Sequence, residues 1–343
     1  MPEVSVVMPV YNGAAYLEET LESVRAQTFE DFELVAIDDA STDGSRDLLS
    51  RYASTDSRIR VRRHAANRGH RAASNHAMAL ARGRYVARLD QDDVSLPHRL
   101  ETQVAFMEEH PEIGLAASSY LRLFPDGRTA RRDPPGDHPE IRWRLLFGMI
   151  FCHSTLMFRR ETMRPYRYAP AAYDYEICAR LARETRTASI PEPLVVYRMH
   201  EAGLSTTQRG PMERSVRAIS AREIRKILAP RRPDRGEIES LRRLADGRGV
   251  EADDLERIPL MLELLDALAR TPGIEPGAMA GVRRVWIRRL LRALPARHLM
   301  SLPAGRETRM LLRSDPAAVA ASALAQLPRR ALRTVLPRPR SST

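Results

Sequence analysis

Four strand patterns alternate with helical patterns over residues 4–93, and this alternation constrains the fold more than any other feature of the chain. Apolar β-forming residues fill four short segments, at 4–10, 32–37, 59–63 and 85–89. Helical spacing occupies the stretches between them, at 14–27, after Gly44 and at 72–81. Because strands that alternate with helices form parallel sheets with right-handed crossovers, we expect an α/β fold with a mostly parallel twisted sheet flanked by helices.

The fourth strand pattern ends in three carboxylates within four positions, Asp90, Asp92 and Asp93. Like charges this close repel each other and are costly to desolvate, so such a cluster usually faces something positive. On an extended backbone, residues two apart point the same way, which would let Asp90 and Asp92 face one site. One or two carboxylates with positions left for phosphate oxygens suit Mg²⁺ or Mn²⁺. The alternative is a solvated acidic turn that caps the next helix, and Asp93 fits that role.

Polar clusters also follow the first and second strand patterns, in Pro9-Val10-Tyr11-Asn12-Gly13 and in Asp38-Asp39. Ligands of parallel sheets bind beyond the carboxyl ends of the strands, so these clusters and the three carboxylates should converge. The first strand leads into neither G-x-G-x-x-G nor a P-loop, which argues against a dinucleotide dehydrogenase and a P-loop NTPase. A metal on Asp92, helped by arginines, would then have to hold a diphosphate.

The positive charge lies in the C-terminal part of the chain. Residues 1–208 hold 27 arginines against 29 acidic side chains, whereas residues 209–343 hold 28 basic against 15 acidic ones. We therefore expect one domain over 1–208, a basic helical region over 209–336 and a disordered tail over 337–343. Pro-bounded helices are predicted in the basic region, at 212–228, 237–246, 259–270, 276–293 and 315–327.

Two interpretations of the basic helices stay open. Arg284, Arg288 and Arg292 form a stripe with a spacing of four residues, and basic amphipathic helices bind anionic membrane surfaces. The same helices could instead pack on the first domain with their arginines in water. Nucleic-acid binding is not expected, because aromatic residues are not interleaved with this charge.

Other features favour a cytoplasmic protein, with the inner face of the membrane as a site of peripheral contact. Cys152 and Cys178 have neither metal-site nor disulfide spacing. No signal-peptide pattern precedes the strand predicted at 4–10. The longest apolar runs, such as 145–152, are too short to span a bilayer.

Six motifs in order resemble those of family-2 glycosyltransferases with the GT-A fold. The first three are VSVVMPVYNG (4–13), IDDASTD (37–43) and LDQDDVSLPHRL (89–100). The later three are CHSTLMFRRE (152–161), YDYEICARL (173–181) and YRMHEAGLS (197–205). The resemblance assigns catalysis to 1–208 and implies a nucleoside-diphosphate-sugar donor, with UDP favoured, and a divalent metal, Mn²⁺ or Mg²⁺. It further implies inverting transfer to a hydroxyl of a saccharide or lipid-linked saccharide, in the synthesis of a cell-surface polysaccharide or glycolipid.

The resemblance also implies roles for residues around the donor. Asp90-Gln91-Asp92 is the D-x-D element, in which Asp92 would contact the metal and Asp90 the ribose, or the metal through water. Asp39 would accept a hydrogen bond from the nucleotide base; its alternative is a turn-stabilising side chain before Ser41.

Three further donor contacts follow from the same resemblance. Pro9 and Tyr11 would line the base pocket, and Arg71 would reach the nucleotide or diphosphate. Their alternatives are strand termination for Pro9, which we favour, a half-buried ring for Tyr11 and an exposed arginine at a helix start for Arg71.

On the acceptor side, the family's Glu-Asp motif corresponds to Tyr173-Asp174. Asp174 is thus the expected catalytic base, with an ordinary helix cap as the alternative and Glu176 as a fallback base. Since Tyr173 replaces the usual Glu, acceptor choice or activity would differ here. His200 is a candidate contact for the metal or diphosphate. His153, opening a strand expected at 154–158, is a candidate contact for the donor sugar; both could also be structural.

Two other functions are the alternatives for a fold of this kind. A sugar-phosphate nucleotidyltransferase would need a phosphate loop rich in Gly and Lys or Arg after the first strand, which Tyr11-Asn12-Gly13 does not supply. A catalytically degraded GT-A-like binding protein would explain Tyr173.

Overall fold

The computed structural model of the chain describes residues 1–166, 171–201, 203 and 207–293. It divides into two compact units, one over residues 1–220 and a second that begins at Ala221. The boundary between them falls inside the helix Arg209–Leu228.

A mixed sheet forms the centre of the first unit. In the described part of the chain its strands are β1 Val4–Val10, β2 Phe32–Asp38, β3 Ile59–Arg63, β4 Tyr85–Arg88, β5 Val94–Ser95, β6 Ile113–Leu123, β7 Thr129–Arg132, β8 Met157–Arg159 and β9 Arg186–Arg198. Their order is β3-β2-β1-β4-β8-β6-β9-β5, with β7 paired to β6. The predicted parallel arrangement of β1 to β4 is confirmed, while β8 is antiparallel to both of its neighbours.

Helices cover both faces of this sheet. They are α1 Ala14–Arg25, α2 Ser45–Thr55, α3 His70–Leu80, α4 Arg99–Glu109, α5 His138–Arg144 and α6 Tyr173–Glu184. Successive strand residues point to opposite faces: Val7 and Val35 pack with α3, α5 and α6, whereas Val6 and Leu34 pack with α1, α2 and α4. Both faces are therefore buried, which explains why the strands read as continuous apolar runs.

Two local expectations are wrong. Pro9 does not end β1, because the strand continues to Val10 and Pro9 pairs with Ile37 of β2. The β4 ladder on the other side of β1 has already ended at Val7, so a residue without an N–H is tolerated there. The strand expected at 154–158 begins only at Met157, because a 3₁₀ turn occupies His153–Thr155.

The second unit is helical, as predicted. Its helices are α7 Arg209–Leu228, which crosses the boundary, α8 Arg235–Asp246, α9 Ile258–Ala269 and α10 Met279–Ala293. Asp234 and Glu237 cap α8 reciprocally, and Gly247 ends it in the left-handed conformation. The helix predicted at 315–327 and the tail at 337–343 lie outside the described residues. Among the helices that are described, none combines the length and the apolar character needed to cross a bilayer.

Candidate active site

The loops that follow β1 and β2 are fastened to each other. Asn12 has a positive φ of 49°, and its Oδ1 accepts a hydrogen bond from Thr42 N at 2.8 Å. Ser41 Oγ accepts from Asn12 N at 3.1 Å, and Ser45 Oγ accepts from Gly13 N at 2.9 Å. Hydrogen bonds to Ser41, Thr42 and Ser45, in the segment after β2, therefore fix the shape of the loop after β1.

Gln91, the middle residue of the D-x-D element, braces that loop. Its Oε1 accepts from Tyr11 N at 2.7 Å, and its Nε2 donates to Tyr11 O at 3.0 Å. Gly13 makes room for this amide, since a Cβ there would lie 2.5 Å from Gln91 Cδ. Tyr11 is thereby placed at the carboxyl edge of the sheet with 44% of its surface exposed, whereas Pro9 is buried.

Asp39 is buried and organises the segment before α3. Its Oδ1 accepts from His64 Nδ1 at 2.6 Å and from Arg68 N at 2.9 Å, and its Oδ2 accepts from Gly69 N at 2.8 Å. The turn before Ser41 is held instead by Asp38, whose Oδ1 accepts from Ser41 N at 2.8 Å. The alternative role considered for Asp39 is therefore wrong.

Asp90 is surrounded by donors. Its Oδ1 lies 2.7 Å from an Arg88 guanidinium nitrogen and 3.3 Å from His70 Nε2, and its Oδ2 lies 3.5 Å from His153 Nδ1. Burial alone would raise the pKa of Asp90, but Arg88 and then the two histidines bring that pKa well below its ordinary value. Asp90 is thus a carboxylate whose charge is met by the protein.

Asp92 has different surroundings. Its Oδ2 lies 2.8 Å from His200 Nε2, and the side chains of Asp92 and His200 are 25% and 15% exposed. Burial, and next the charge of Asp90, raise the pKa of Asp92. The ring of Tyr16 in α1 packs on His200 with 4.7 Å between the ring centroids. Asp92 and His200 are therefore held together at the surface of the site, where the negative charge of the carboxylates is only partly neutralised.

Asp93 is a structural residue and not a solvated cap. It is 1% exposed, accepts a hydrogen bond from Ser154 Oγ, and accepts from Arg198 N at 3.1 Å. Burial, Asp92 and Asp90 raise its pKa well above the ordinary value. Since Asp93 N donates to Asp90 O at 3.3 Å, residues 90–93 form a turn rather than the extended backbone assumed from the sequence. Asp90 and Asp92 consequently contact different partners.

The residues present fit a hard divalent cation. In residues 1–166, 171–201, 203 and 207–293, no group of three or more His, Cys, Asp or Glu side chains is arranged as a complete metal site. Mg²⁺ and Mn²⁺ do not need one, because they take one or two carboxylates and complete their shell with phosphate oxygens and water. Asp92, whose side chain is 25% exposed and whose pKa is raised by burial and by Asp90, is suited to be that carboxylate.

The start of α6 is joined to Asp90 through His70. Tyr173 Oη donates to His70 Nδ1 at 2.5 Å, and the other ring nitrogen of His70 faces Asp90. Asp174 follows in the first turn, where its Oδ1 accepts from Tyr175 N at 2.8 Å. Burial and Arg88 lower the pKa of His153, whereas the charges of Asp90 and Asp174 oppose that shift.

Two other residues from the sequence analysis have contrasting positions. Glu176 is 1% exposed and pairs with the buried Arg180 at 3.2 Å, which does not support it as a fallback base. Arg71 is half-buried in the first turn of α3, directly after His70.

The site residues therefore converge on the carboxyl edge of β1, β2 and β4. Asp39 holds the segment that leads into His70, and His70 contacts both Asp90 and Tyr173. Arg88, Gln91 and His70 were missed by sequence reasoning. A charged Arg88 inside an apolar strand pattern was the available signal, since such a charge needs a buried partner.

The comparisons with known proteins agree with this architecture. A family model described as "Glycosyl transferase family 2" matches residues 5–167. EpsE of Bacillus subtilis, named as a provisional glycosyltransferase, is 39% identical over 171 residues, which cover 48% of this chain and 60% of EpsE, less than two thirds of that protein. The uncharacterized glycosyltransferase MJ1057 of Methanocaldococcus jannaschii is 31% identical over 206 residues, which cover 58% of this chain and 71% of the relative.

Solved structures show the same fold at low identity. S. aureus TarS in complex with UDP-GlcNAc aligns with a TM-score of 0.56 and 18% identity over 94% of this chain and 90% of the other. The mannosyltransferase PcManGT from Pyrobaculum calidifontis, in complex with GDP-Man and Mn²⁺, aligns with a TM-score of 0.52 and 19% identity over 95% and 87%. The expected GT-A fold is confirmed, and the chain belongs to glycosyl transferase family 2.

Proposed function

We propose that the protein transfers a sugar from a nucleoside-diphosphate sugar, with a UDP-sugar favoured, to an acceptor hydroxyl with inversion. The observation that carries this proposal is the link through His70 between Asp90 of the D-x-D element and Tyr173, the neighbour of Asp174. Donor-side and acceptor-side groups then adjoin, as a transfer between two bound substrates requires. Family membership favours this function over the nucleotidyltransferase alternative.

On the donor side, Asp92 and His200 would hold Mn²⁺ or Mg²⁺, and Asp90 would face the ribose. The bound cation would supply positive charge to the leaving diphosphate. Its presence in PcManGT supports this assignment. Pro9, Tyr11 and Asp39 would form the base pocket at the ends of β1 and β2.

Arg71 completes the proposed donor contacts. Its place directly after His70, which contacts Asp90, puts it in the first turn of a helix that begins at the site. An arginine there can donate to diphosphate oxygens, and the positive end of the helix dipole favours the same anion.

Asp174 would take the proton from the acceptor hydroxyl. The hydrogen bond from Tyr173 to His70 holds the first turn of α6, which carries Asp174, and so supports this role. Tyr173 occupies the position of the family's Glu and cannot bind an acceptor hydroxyl as a carboxylate would. The preferred acceptor would therefore differ from that of relatives that keep the Glu.

The acceptor we propose is a saccharide or lipid-linked saccharide used in a cell-surface polysaccharide or glycolipid, built at the cytoplasmic face of the membrane. In α10, Arg284, Val285, Arg288 and Arg289 lie on one exposed face, which suits an anionic surface. The full-length protein should co-float with anionic but not with neutral liposomes, and Arg284→Glu with Arg289→Glu should abolish this. Equal flotation of the variant would refute membrane contact through α10.

Binding and chemistry can be tested separately. A thermal-shift screen of UDP, GDP and dTDP, with and without Mn²⁺, should give the largest shift with UDP and Mn²⁺. Release of UDP from UDP-sugars should then be measured for wild type and Asp174→Asn. The variant should bind UDP like wild type but lose activity by about 10²-fold or more, as expected for loss of a general base.

Two results would contradict the proposal. Normal activity of Asp174→Asn would refute the base assignment. A wild-type protein that binds UDP with Mn²⁺ but turns over no UDP-sugar, with or without saccharide acceptors, would favour the degraded binding protein that Tyr173 suggests.

A further inference from the structure

Arg88 is the last residue of β4, and its side chain has no exposed surface. Its Nη1 donates to Val7 O at 3.2 Å, its Nε donates to His153 Nε2 at 3.3 Å, and its Nη2 donates to Asp90 Oδ1 at 2.7 Å. A buried guanidinium is tolerated only when an opposite charge and hydrogen-bond acceptors surround it. Asp90 is the carboxylate that meets this requirement.

We propose that Arg88 neutralises the Asp90 carboxylate, so that Asp90 is not a metal ligand and Asp92, with His200, binds the cation. This inference rests on the proposed function, because it concerns the metal of the same donor site. Its consequence is that the cation binds weakly to the free protein and firmly only together with a diphosphate.

The contacts of the two carboxylates support this division. Asp90 Oδ1 is shared by Arg88 and His70, and Oδ2 faces His153 Nδ1, so donors face both oxygens. Asp92 Oδ2 contacts His200 Nε2 at 2.8 Å, and the Asp92 side chain is open to solvent over a quarter of its surface.

Arg198, a guanidinium beside Asp92, does not replace Arg88. Arg198 donates through Nε to the backbone oxygen of Asp92 at 3.2 Å, and its Nη2 pairs with Glu19 on α1. Its charge is therefore met by Glu19, and Arg88 is the arginine bonded to the Asp90 carboxylate. Removal of Arg88 should leave the negative charge of Asp90 unneutralised near the cation site. Removal of both Arg88 and Asp90 charges should leave the net charge there unchanged.

A double-mutant cycle tests this inference, with Mn²⁺ binding to the nucleotide-free protein read by electron paramagnetic resonance. Arg88→Met should bind Mn²⁺ about tenfold more tightly than wild type, and Asp90→Asn should bind it more weakly, because each shifts the local charge by one unit. The pair Arg88→Met with Asp90→Asn should return to within about threefold of wild type. Arg88→Lys, which keeps the charge, is the matched control and should resemble wild type.

Even if Arg88→Met does not fold, the double variant shows whether Asp90 is neutralised by Arg88 or is a metal ligand. The double variant removes a buried ion pair as a unit, which proteins commonly tolerate. If Asp90 is a metal ligand, the double variant will bind Mn²⁺ as weakly as Asp90→Asn, and the inference is overturned. No Mn²⁺ binding to any of these proteins, with UDP as well as without it, would refute the proposed metal site and this inference together.

Discussion

The substitution Gly13→Ala should show that Gln91 is a brace for the loop after β1. The Gly13 φ of −105° is open to alanine, so backbone strain does not enter. The new Cβ would lie 2.5 Å from Gln91 Cδ and Oε1, which forces the amide to move away. The two hydrogen bonds between Gln91 and the Tyr11 backbone, at 2.7 and 3.0 Å, would then be lost.

The magnitude follows from those two bonds. Each contributes about 1 kcal/mol net, and replacing glycine by alanine regains about 0.5 kcal/mol through the unfolded chain. Gly13→Ala should therefore cost about 1.5 kcal/mol of unfolding free energy. Gln91→Ala removes the same bonds and should cost about 2 kcal/mol. The double variant should cost about 1.5 kcal/mol rather than the sum, because the alanine Cβ then meets no amide.

Urea unfolding provides the assay. Trp143 lies in the first unit and Trp286 in the second, so a Trp286→Phe background lets fluorescence report the first unit alone. UDP affinity, measured on the same proteins, should fall in both single variants because Tyr11 belongs to the proposed base pocket. Additive costs in the double variant would refute the bracing role of Gln91.

Two further predictions concern buried ionisable groups. Burial, with Arg142 and Arg186 nearby, lowers the pKa of His138 to about 4. Below pH 6.5 the folded state therefore binds fewer protons than the unfolded state. The free energy of unfolding should consequently fall by about 2.5 kcal/mol from pH 7 to 4.5. In urea unfolding, His138→Asn should flatten this loss, and an unchanged slope would exclude His138 as its source. Glu176→Gln strips the buried Arg180 of its carboxylate partner and should cost about 3 kcal/mol while UDP affinity stays within about twofold; loss of UDP binding in a folded variant would contradict a purely structural role.

Much of the fold is predictable because local sequence patterns determine its strands and helices. Strands β1 to β4 are short apolar runs separated by amphipathic helices, so the parallel order follows from the crossover rule. The helices α7 to α10 follow from helical segments separated by prolines. The antiparallel β8 was not predicted as such, because a three-residue strand after a 3₁₀ turn carries too little pattern to fix its start.

The candidate site was predictable in type but not in its contacts. Carboxylates at strand ends suggest a cation or a donor group, and Asp39, Asp90 and Asp92 do follow neighbouring strands at one edge of the sheet. Asp174 is instead in the first turn of α6, next to Tyr173, which contacts His70. Which partner meets which carboxylate depends on residues distant in sequence. His200 is 108 residues from Asp92 and His153 is 65 residues from Arg88, so no local pattern links them.

Calorimetric titration of UDP with and without Mn²⁺ tests the central claim most directly, in wild type, in Asp92→Ala and in Glu109→Ala, which removes an exposed carboxylate elsewhere. We predict that Mn²⁺ tightens UDP binding by about tenfold or more, near 1.4 kcal/mol, in wild type and Glu109→Ala but not in Asp92→Ala. Equal affinity for UDP with and without Mn²⁺ in the wild-type protein would contradict it.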